Sequence, residues 1–237
     1  MNSELKDRTV LVIGRGSGIA RAVVAGVREA GATVIAASRN RDALISAYGD
    51  ELSLESVDVT DEASVAALAE RLGHVDHVVS TASARARGNL GDLEPDAVLQ
   101  SLSTKVLGPI LLAKHFAPRM PRDGSFVFFS GATARKPAPG MLAVAATNGG
   151  VDAVTRALAV EVAPLRVNAI APGTIDSGAY DALGEQRKAE LFASRAGRNP
   201  AGRVGDPSDA ARAVLYALTS TFTTGTTLAV DGGEVLV

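Results

Sequence analysis

The sequence predicts an α/β fold built on a doubly wound parallel sheet, and three observations carry that reading. Short β-branched runs alternate with longer stretches of helical periodicity from Thr9 onward, there are seven such runs, and glycine, proline and capping residues punctuate them. With no low-complexity linker and no fixed-period repeat, residues 1–237 read as one domain, a seven-stranded parallel sheet with helices on both faces.

The elements follow in order. Thr9 to Ile13 is apolar nearly throughout, as a strand covered on both faces must be, and Ser17 to Ala30 follows as a helix closed by Gly31. Thr33 to Ser38 and Leu52 to Val57 are the second and third strands; Thr60-Asp61-Glu62 then opens a helix with a capping hydroxyl and acids in the first turn. Val75 to Ser80 is strand four. Leu93 to Met120, Ser125 to Ser130, Gly140 to Ala163 and Arg166 to Ile170 continue as helix, strand, helix, strand. The stretch from Pro172 to Gly205 shows no clear periodicity and is read as a substrate loop or lid over 172–205. Asp206-Pro207 starts the last helix, and Thr226 to Val230 closes the sheet.

Composition narrows the partners. Basic and acidic residues number 24 and 26, net −2, so no charge footprint points to nucleic acid or anionic lipid. Apolar residues make up 46% but no uninterrupted run reaches a membrane span, leaving a small molecule as the expected partner. The absence of cysteine excludes disulfides and thiolate chemistry, and His74, His77 and His115 lack metal-ligand spacing, so no metal site is expected. Met1 to Asp7 lacks the apolar core of a signal peptide, and a cytoplasmic location is the default expectation.

At the end of the first strand stands Gly14-Arg15-Gly16-Ser17-Gly18-Ile19-Ala20, leading directly into a helix. Free backbone N–H groups at a helix N-terminus, approached closely over glycine, form a cradle for a dinucleotide diphosphate. The spacing is G-x-x-x-G-x-G with Ala20 in the last place. After the second strand no acid stands ready for ribose hydroxyls; Arg39 is there instead, with Arg41 close by and Arg15 in the glycine turn, and guanidinium suits a 2′-phosphate. NADP (NADPH) is therefore the expected cofactor. Asp58 either accepts from the adenine amino group or caps the turn at Thr60.

Together with Val57-Asp58-Val59-Thr60-Asp61, Leu158 to Pro164, Arg166-Val167-Asn168-Ala169-Ile170-Ala171-Pro172-Gly173 and Val230-Asp231-Gly232-Gly233, these residues resemble the short-chain dehydrogenase/reductase family over essentially the whole chain. The resemblance implies a seven-stranded Rossmann fold and hydride transfer between nicotinamide and a carbonyl or alcohol. It also implies cofactor contacts at Val59, at Thr81, Ala82 and Ser83 after strand four, and at Pro172, Gly173 and the backbone of Ile175.

The family's catalytic set is replaced. Its Tyr-x-x-x-Lys pair falls on Val144 and Asn148, its serine on Gly131 beside Ser130, and its helix asparagine on Lys105. Asn148 can still bond ribose hydroxyls. Lys105 stands among Leu102, Val106, Leu107 and Ile110, where an unpaired ammonium is costly, so it is expected to face a cleft. Pro109 has no N–H to give to the Lys105 carbonyl, which predicts a kink there. Lys105, its pKa lowered by desolvation, is the candidate proton donor, with Ser130 orienting the oxygen. Arg135 and Lys136 read as ordinary loop charges rather than substrate anchors.

The favoured reading is an NADP(H)-dependent oxidoreductase of a small carbonyl or alcohol with a non-standard catalytic set. A non-redox enzyme such as a cyclase, isomerase or lyase, and a non-catalytic dinucleotide-binding protein, stay open beside it. The two long apolar helices exceed what one sheet face covers and predict a homodimer or homotetramer.

Overall fold

The computed structural model describes residues 4–237. Its strands are β1 (Thr9–Ile13), β2 (Thr33–Ser38), β3 (Ser53–Ser56), β4 (His77–Ser80), β5 (Ser125–Phe129), β6 (Arg166–Pro172) and β7 (Thr227–Val230), all parallel, in the order β3-β2-β1-β4-β5-β6-β7. The order reverses between β1 and β4, which opens a crevice beyond their carboxyl ends.

Strand periodicity sorts the core into two layers. Leu11, Ile13 and Val78 face α3 (Glu62–Leu72), α5 (Gly108–Phe116) and α6 (Leu142–Glu161), where Leu68, Leu112, Phe116 and Val151 meet them. Val10, Val12 and Val79 face the other way, onto Val23, Val24 and Val27 of α1 (Gly18–Glu29) and Ala211 and Val214 of α8 (Pro207–Thr219). Each fully buried side chain of this size contributes about 1.5–3 kcal/mol, and both layers hold the crevice walls in register.

Caps set the helix starts. Asn40 accepts from Ala43 N–H to open α2 (Arg41–Tyr48), and Asp206 with Asp209 forms a reciprocal capping box on α8, with Pro207 at its first position. At α3 the cap is Asp61, which accepts from Ala63 N–H, rather than the expected Thr60 hydroxyl. That hydroxyl donates to Asp58 instead, at 2.7 Å. The C-terminus of α8 is closed from β6: Arg166 donates to the carbonyls of Ala217 and Leu218 at 2.6 and 2.7 Å.

Two segments differ from expectation. The helix expected over Leu93 to Met120 is α4 (Pro95–Leu102), a π-helical turn over Ser103–Leu107, then α5 and a short 3₁₀ turn (Ala117–Arg119). Gly108 N–H reaches five residues back to the Ser103 carbonyl, so the donor missing at Pro109 is absorbed as a wider turn around Lys105. The aperiodic stretch 172–205 contains α7 (Glu185–Arg198), none of whose residues is buried; its apolar side is narrow, with Leu191, Phe192 and Ala196 half-buried among charged residues. Among the described residues no helix is long and apolar enough to cross a membrane.

Candidate functional site

The site is assembled at the crevice. On its β1 side Gly14 is pressed against Thr81, since a Cβ would come within 2.1 Å of Thr81 Oγ1, and that hydroxyl donates to the Ile13 carbonyl. Gly16 lies over Ala47 and Tyr48. Gly18 holds φ +54°, and a Cβ there would meet the Ser177 carbonyl oxygen at 2.4 Å. The turn is thus a cradle with no room for side chains, at the start of a helix whose Ser17 cap leaves its side chain uncommitted to the backbone. This fits a dinucleotide diphosphate. Ile19 packs in the α1/α8 layer, and Ser177 brings the 172–205 segment into contact with the cradle.

At the β2 end Arg39 is exposed and bears on Asp58. Burial works to raise the Asp58 pKa, but hydrogen bonds from Thr60 and the Arg39 charge hold it below the usual carboxylate range. Arg41 donates to the Leu54 carbonyl and is taken up by β3. Arg15 acts on Arg85, on the β4 side of the turn. Val59 is buried against Gly108, Ala82 packs on the core, and Ser83 is exposed.

Beyond β6, Pro172 ends the strand, and Gly173 passes so close to Asp231 that a Cβ would lie 2.9 Å from its Cα. Ile175 is buried and bridges to Gly205. Arg135 pairs with Asp231 at 3.2 Å and Lys136 donates to the Glu234 carbonyl, so both serve to hold the C-terminal segment.

Just past β5 lies a buried polar cluster, in which Lys105 is enclosed by protein rather than facing an open cleft as expected. Lys105, 6% exposed on the π-helical turn, donates to Asn148 Oδ1 of α6 and, at 3.3 Å, to the carbonyl of Ser130 just past β5. Asn148, 3% exposed, passes the chain on: its Nδ2 donates to Thr133 Oγ1 at 2.6 Å. Ser130 Oγ donates to the Asn148 main-chain carbonyl at 3.1 Å, so its hydroxyl proton is committed to α6. Gly131 sits against the same amide, where a Cβ would stand 2.7 Å from Nδ2. Val144 is buried one helical turn before Asn148. Burial, and then the charge of Arg85, lower the Lys105 pKa to about 7, against the opposing pull of Asp152.

The structure therefore brings together Lys105, Ser130 and Asn148, three of the residues singled out in the sequence, and adds Thr133 and Arg85, which sequence reasoning missed. Thr133 carried no signal of its own in the sequence. Arg85 and Arg87 carried one, as a pair of guanidinium groups directly after the altered Ser80 to Ser83 loop.

The family model described as Enoyl-(Acyl carrier protein) reductase matches residues 13–234. A cradle of this form on a seven-stranded sheet, matched over nearly the full length, makes the chain a member of the short-chain dehydrogenase/reductase family of oxidoreductases. Short-chain dehydrogenase/reductase ATR9 of Stachybotrys chlorohalonatus is 32% identical over 251 residues, covering 98% of each chain. A small-chain dehydrogenase solved in complex with NADPH is 32% identical, covers 97% of this chain and 99% of its own, and superposes with a TM-score of 0.86. A short-chain oxidoreductase from Pseudomonas aeruginosa PAO1, described as containing an atypical catalytic center, is 30% identical with 97% of both chains covered and a TM-score of 0.88.

Proposed function

We propose that the protein is an NADP(H)-dependent oxidoreductase of a small carbonyl or alcohol in which Lys105 replaces the family's tyrosine as proton donor. The observation that carries this reading is the buried amine held between Asn148 and Ser130 with its pKa brought to about 7, where it gives and recovers protons near neutral pH. The bound nicotinamide supplies or accepts the hydride.

The chain's residues supply the rest. The Gly14 to Ile19 turn and the α1 N-terminus hold the diphosphate, and Arg39 receives the 2′-phosphate. The loop Thr81 to Ser83 and the stretch Pro172 to Ile175 wall the nicotinamide side. Lys105 Nζ gives a proton to the carbonyl oxygen as it becomes a hydroxyl, and takes one back from water. Asn148 and the Ser130 carbonyl fix the amine, and the Thr133 hydroxyl, an acceptor to Asn148 with its own hydrogen free, holds the substrate oxygen. The NADPH complex of the similar small-chain dehydrogenase supports the choice of cofactor.

The segment 172–205 serves as the lid. Its Tyr180 stands edge-on to Phe192 with ring centroids 5.5 Å apart, and Lys188 ties Asp176 to Asp181 at 2.7 Å each. Leu99, Leu102, Leu107, Ile110 and Leu142 stay exposed along α4, the π turn, α5 and the start of α6, and support assembly as a homodimer or homotetramer through that face.

The test is NADPH oxidation, followed by absorbance, across a panel of small carbonyl compounds, with Lys105→Ala alongside. Substrate-dependent oxidation that falls about a hundredfold or more in Lys105→Ala is expected, the scale of general acid catalysis. Saturable NADPH binding with flat absorbance throughout contradicts the redox step and favours the non-catalytic reading; turnover without net oxidation favours the non-redox one.

A further inference from the structure

We propose that Glu234 is a positioning residue that couples the lid to the nicotinamide wall, its carboxylate tying Arg195 of α7 to Thr174 of the Pro172 to Ile175 stretch; the inference deepens, and rests on, the assignment of those two segments above. Oε2 accepts from the Thr174 N–H at 2.7 Å, and Oε1 accepts from the Thr174 hydroxyl at 3.1 Å and from Arg195 at 3.0 Å. The carboxylate lies directly over the backbone it holds, since a Cβ on Gly173 would come within 2.7 Å of Oε2. Glu234 is itself fixed. Lys136, past β5, donates to its main-chain carbonyl at 3.0 Å, and the Asp231 carbonyl before it accepts from Asn199, the C-cap of α7, at 3.0 Å.

Polar ties, rather than the core, set where α7 lies. None of its residues is fully buried, and its first turn is held by Lys188, which pairs with Asp176 and Asp181 at 2.7 Å each. The carboxylates of those two pairs are open to solvent, where ion pairs count for little. The Glu234 side chain is only 16% exposed, and a sheltered carboxylate bonded by a guanidinium and a main-chain N–H is screened less and holds more firmly. Thr174 is buried, so a shift of its backbone is felt by Gly173 and Ile175 on either side. Glutamine cannot replace this carboxylate. It has one acceptor oxygen and one NH2, so it forfeits either the Thr174 N–H bond or both bonds at Oε1.

Hydrogen exchange and calorimetry on the full chain test this, in wild type, Glu234→Gln, Arg195→Met, Arg195→Lys and the double variant Glu234→Gln with Arg195→Met. The amides of α7 should exchange about tenfold faster in Glu234→Gln and in Arg195→Met, with β1 and β5 unchanged. The double variant should be no faster than either single one, and Arg195→Lys should keep most of the protection. NADPH should slow exchange in α7 of wild type but not of Glu234→Gln. Glu234→Gln should also bind NADPH about tenfold more weakly, while adenosine 2′,5′-bisphosphate, which lacks the nicotinamide, binds as it does to wild type. Exchange in α7 of Glu234→Gln equal to wild type, additive effects in the double variant, or equal loss of NADPH and the bisphosphate overturns the proposal. So does faster exchange throughout the sheet, which would make Glu234 a general prop of the fold. If Glu234→Gln does not fold, Arg195→Met decides by the same exchange criteria. Wild type that binds neither nucleotide contradicts the cofactor reading, and the proposal then stands or falls on α7 exchange alone.

Discussion

Lys105 donates to the side-chain oxygen of Asn148, so that a buried amine on the π turn and a buried amide on α6 face each other directly.

Burial leaves a pH signature. The folded chain disfavours the Lys105 ammonium, with a pKa of about 7, whereas an unfolded lysine titrates near 10.4. Between those values the unfolded chain binds the extra proton, so the stability of wild type relative to Lys105→Met rises with pH across that window and is lowest below about pH 7. The difference amounts to several kcal/mol at most, at about 1.4 kcal/mol per pKa unit. Urea midpoints of the two proteins at neutral and alkaline pH measure it: Lys105→Met should be the more stable near neutrality, with its advantage shrinking as pH rises. Reductive turnover should fall over the same range as the donor loses its proton.

The Lys105–Asn148 hydrogen bond predicts strong coupling. Asn148→Lys places a second ammonium against Lys105 and should cost about 3–5 kcal/mol, the scale of an uncompensated buried charge. The double variant Lys105→Asn with Asn148→Lys should recover most of that loss. Thermal or urea unfolding of the two singles and the double closes the cycle, and additive effects would show that the two side chains do not act as a pair.

Arg39 should set cofactor choice. Arg39→Ala is expected to weaken NADPH by about tenfold or more and to leave NADH nearly unchanged, because only NADPH carries the 2′-phosphate. Titrating both nucleotides into the two proteins measures it.

The exposed apolar face should hold subunits together. Leu99 and Leu142, 59% and 57% exposed, lie on α4 and at the start of α6. Leu99→Asp with Leu142→Asp is expected to shift the protein to monomer in light scattering, while far-UV circular dichroism stays unchanged.

Most of the sheet was legible because its strands are short, β-branched and bounded by turn residues, and their fully buried faces leave runs such as Thr9 to Ile13 no other use. The glycine cradle was legible for the same reason, as a pattern that backbone geometry requires. Elements whose form depends on remote partners were not. Helix α7 has no fully buried residue, and its apolar side, Leu191, Phe192 and Ala196, is too narrow to stand out among its charges. Thr60 looks like a cap until Asp58 takes its hydroxyl. Pro109 announced a disturbance at Lys105 but not that a π turn would absorb it. In the site, Lys105 stood out as a charge among leucines, whereas the commitment of the Ser130 hydroxyl to α6 and the bond from Asn148 to Thr133 depend on how β5 and α6 pack, which no local pattern encodes.

The chain has only five lysines, Lys6, Lys105, Lys114, Lys136 and Lys188, so ¹⁵N-lysine labelling resolves the central claim by titration in NMR. One ammonium, absent from the Lys105→Met spectrum, should titrate at about 7 and move upward in Arg85→Gln as the like charge is removed. A Lys105 that keeps its proton up to about pH 10, as an exposed lysine does, would contradict the account.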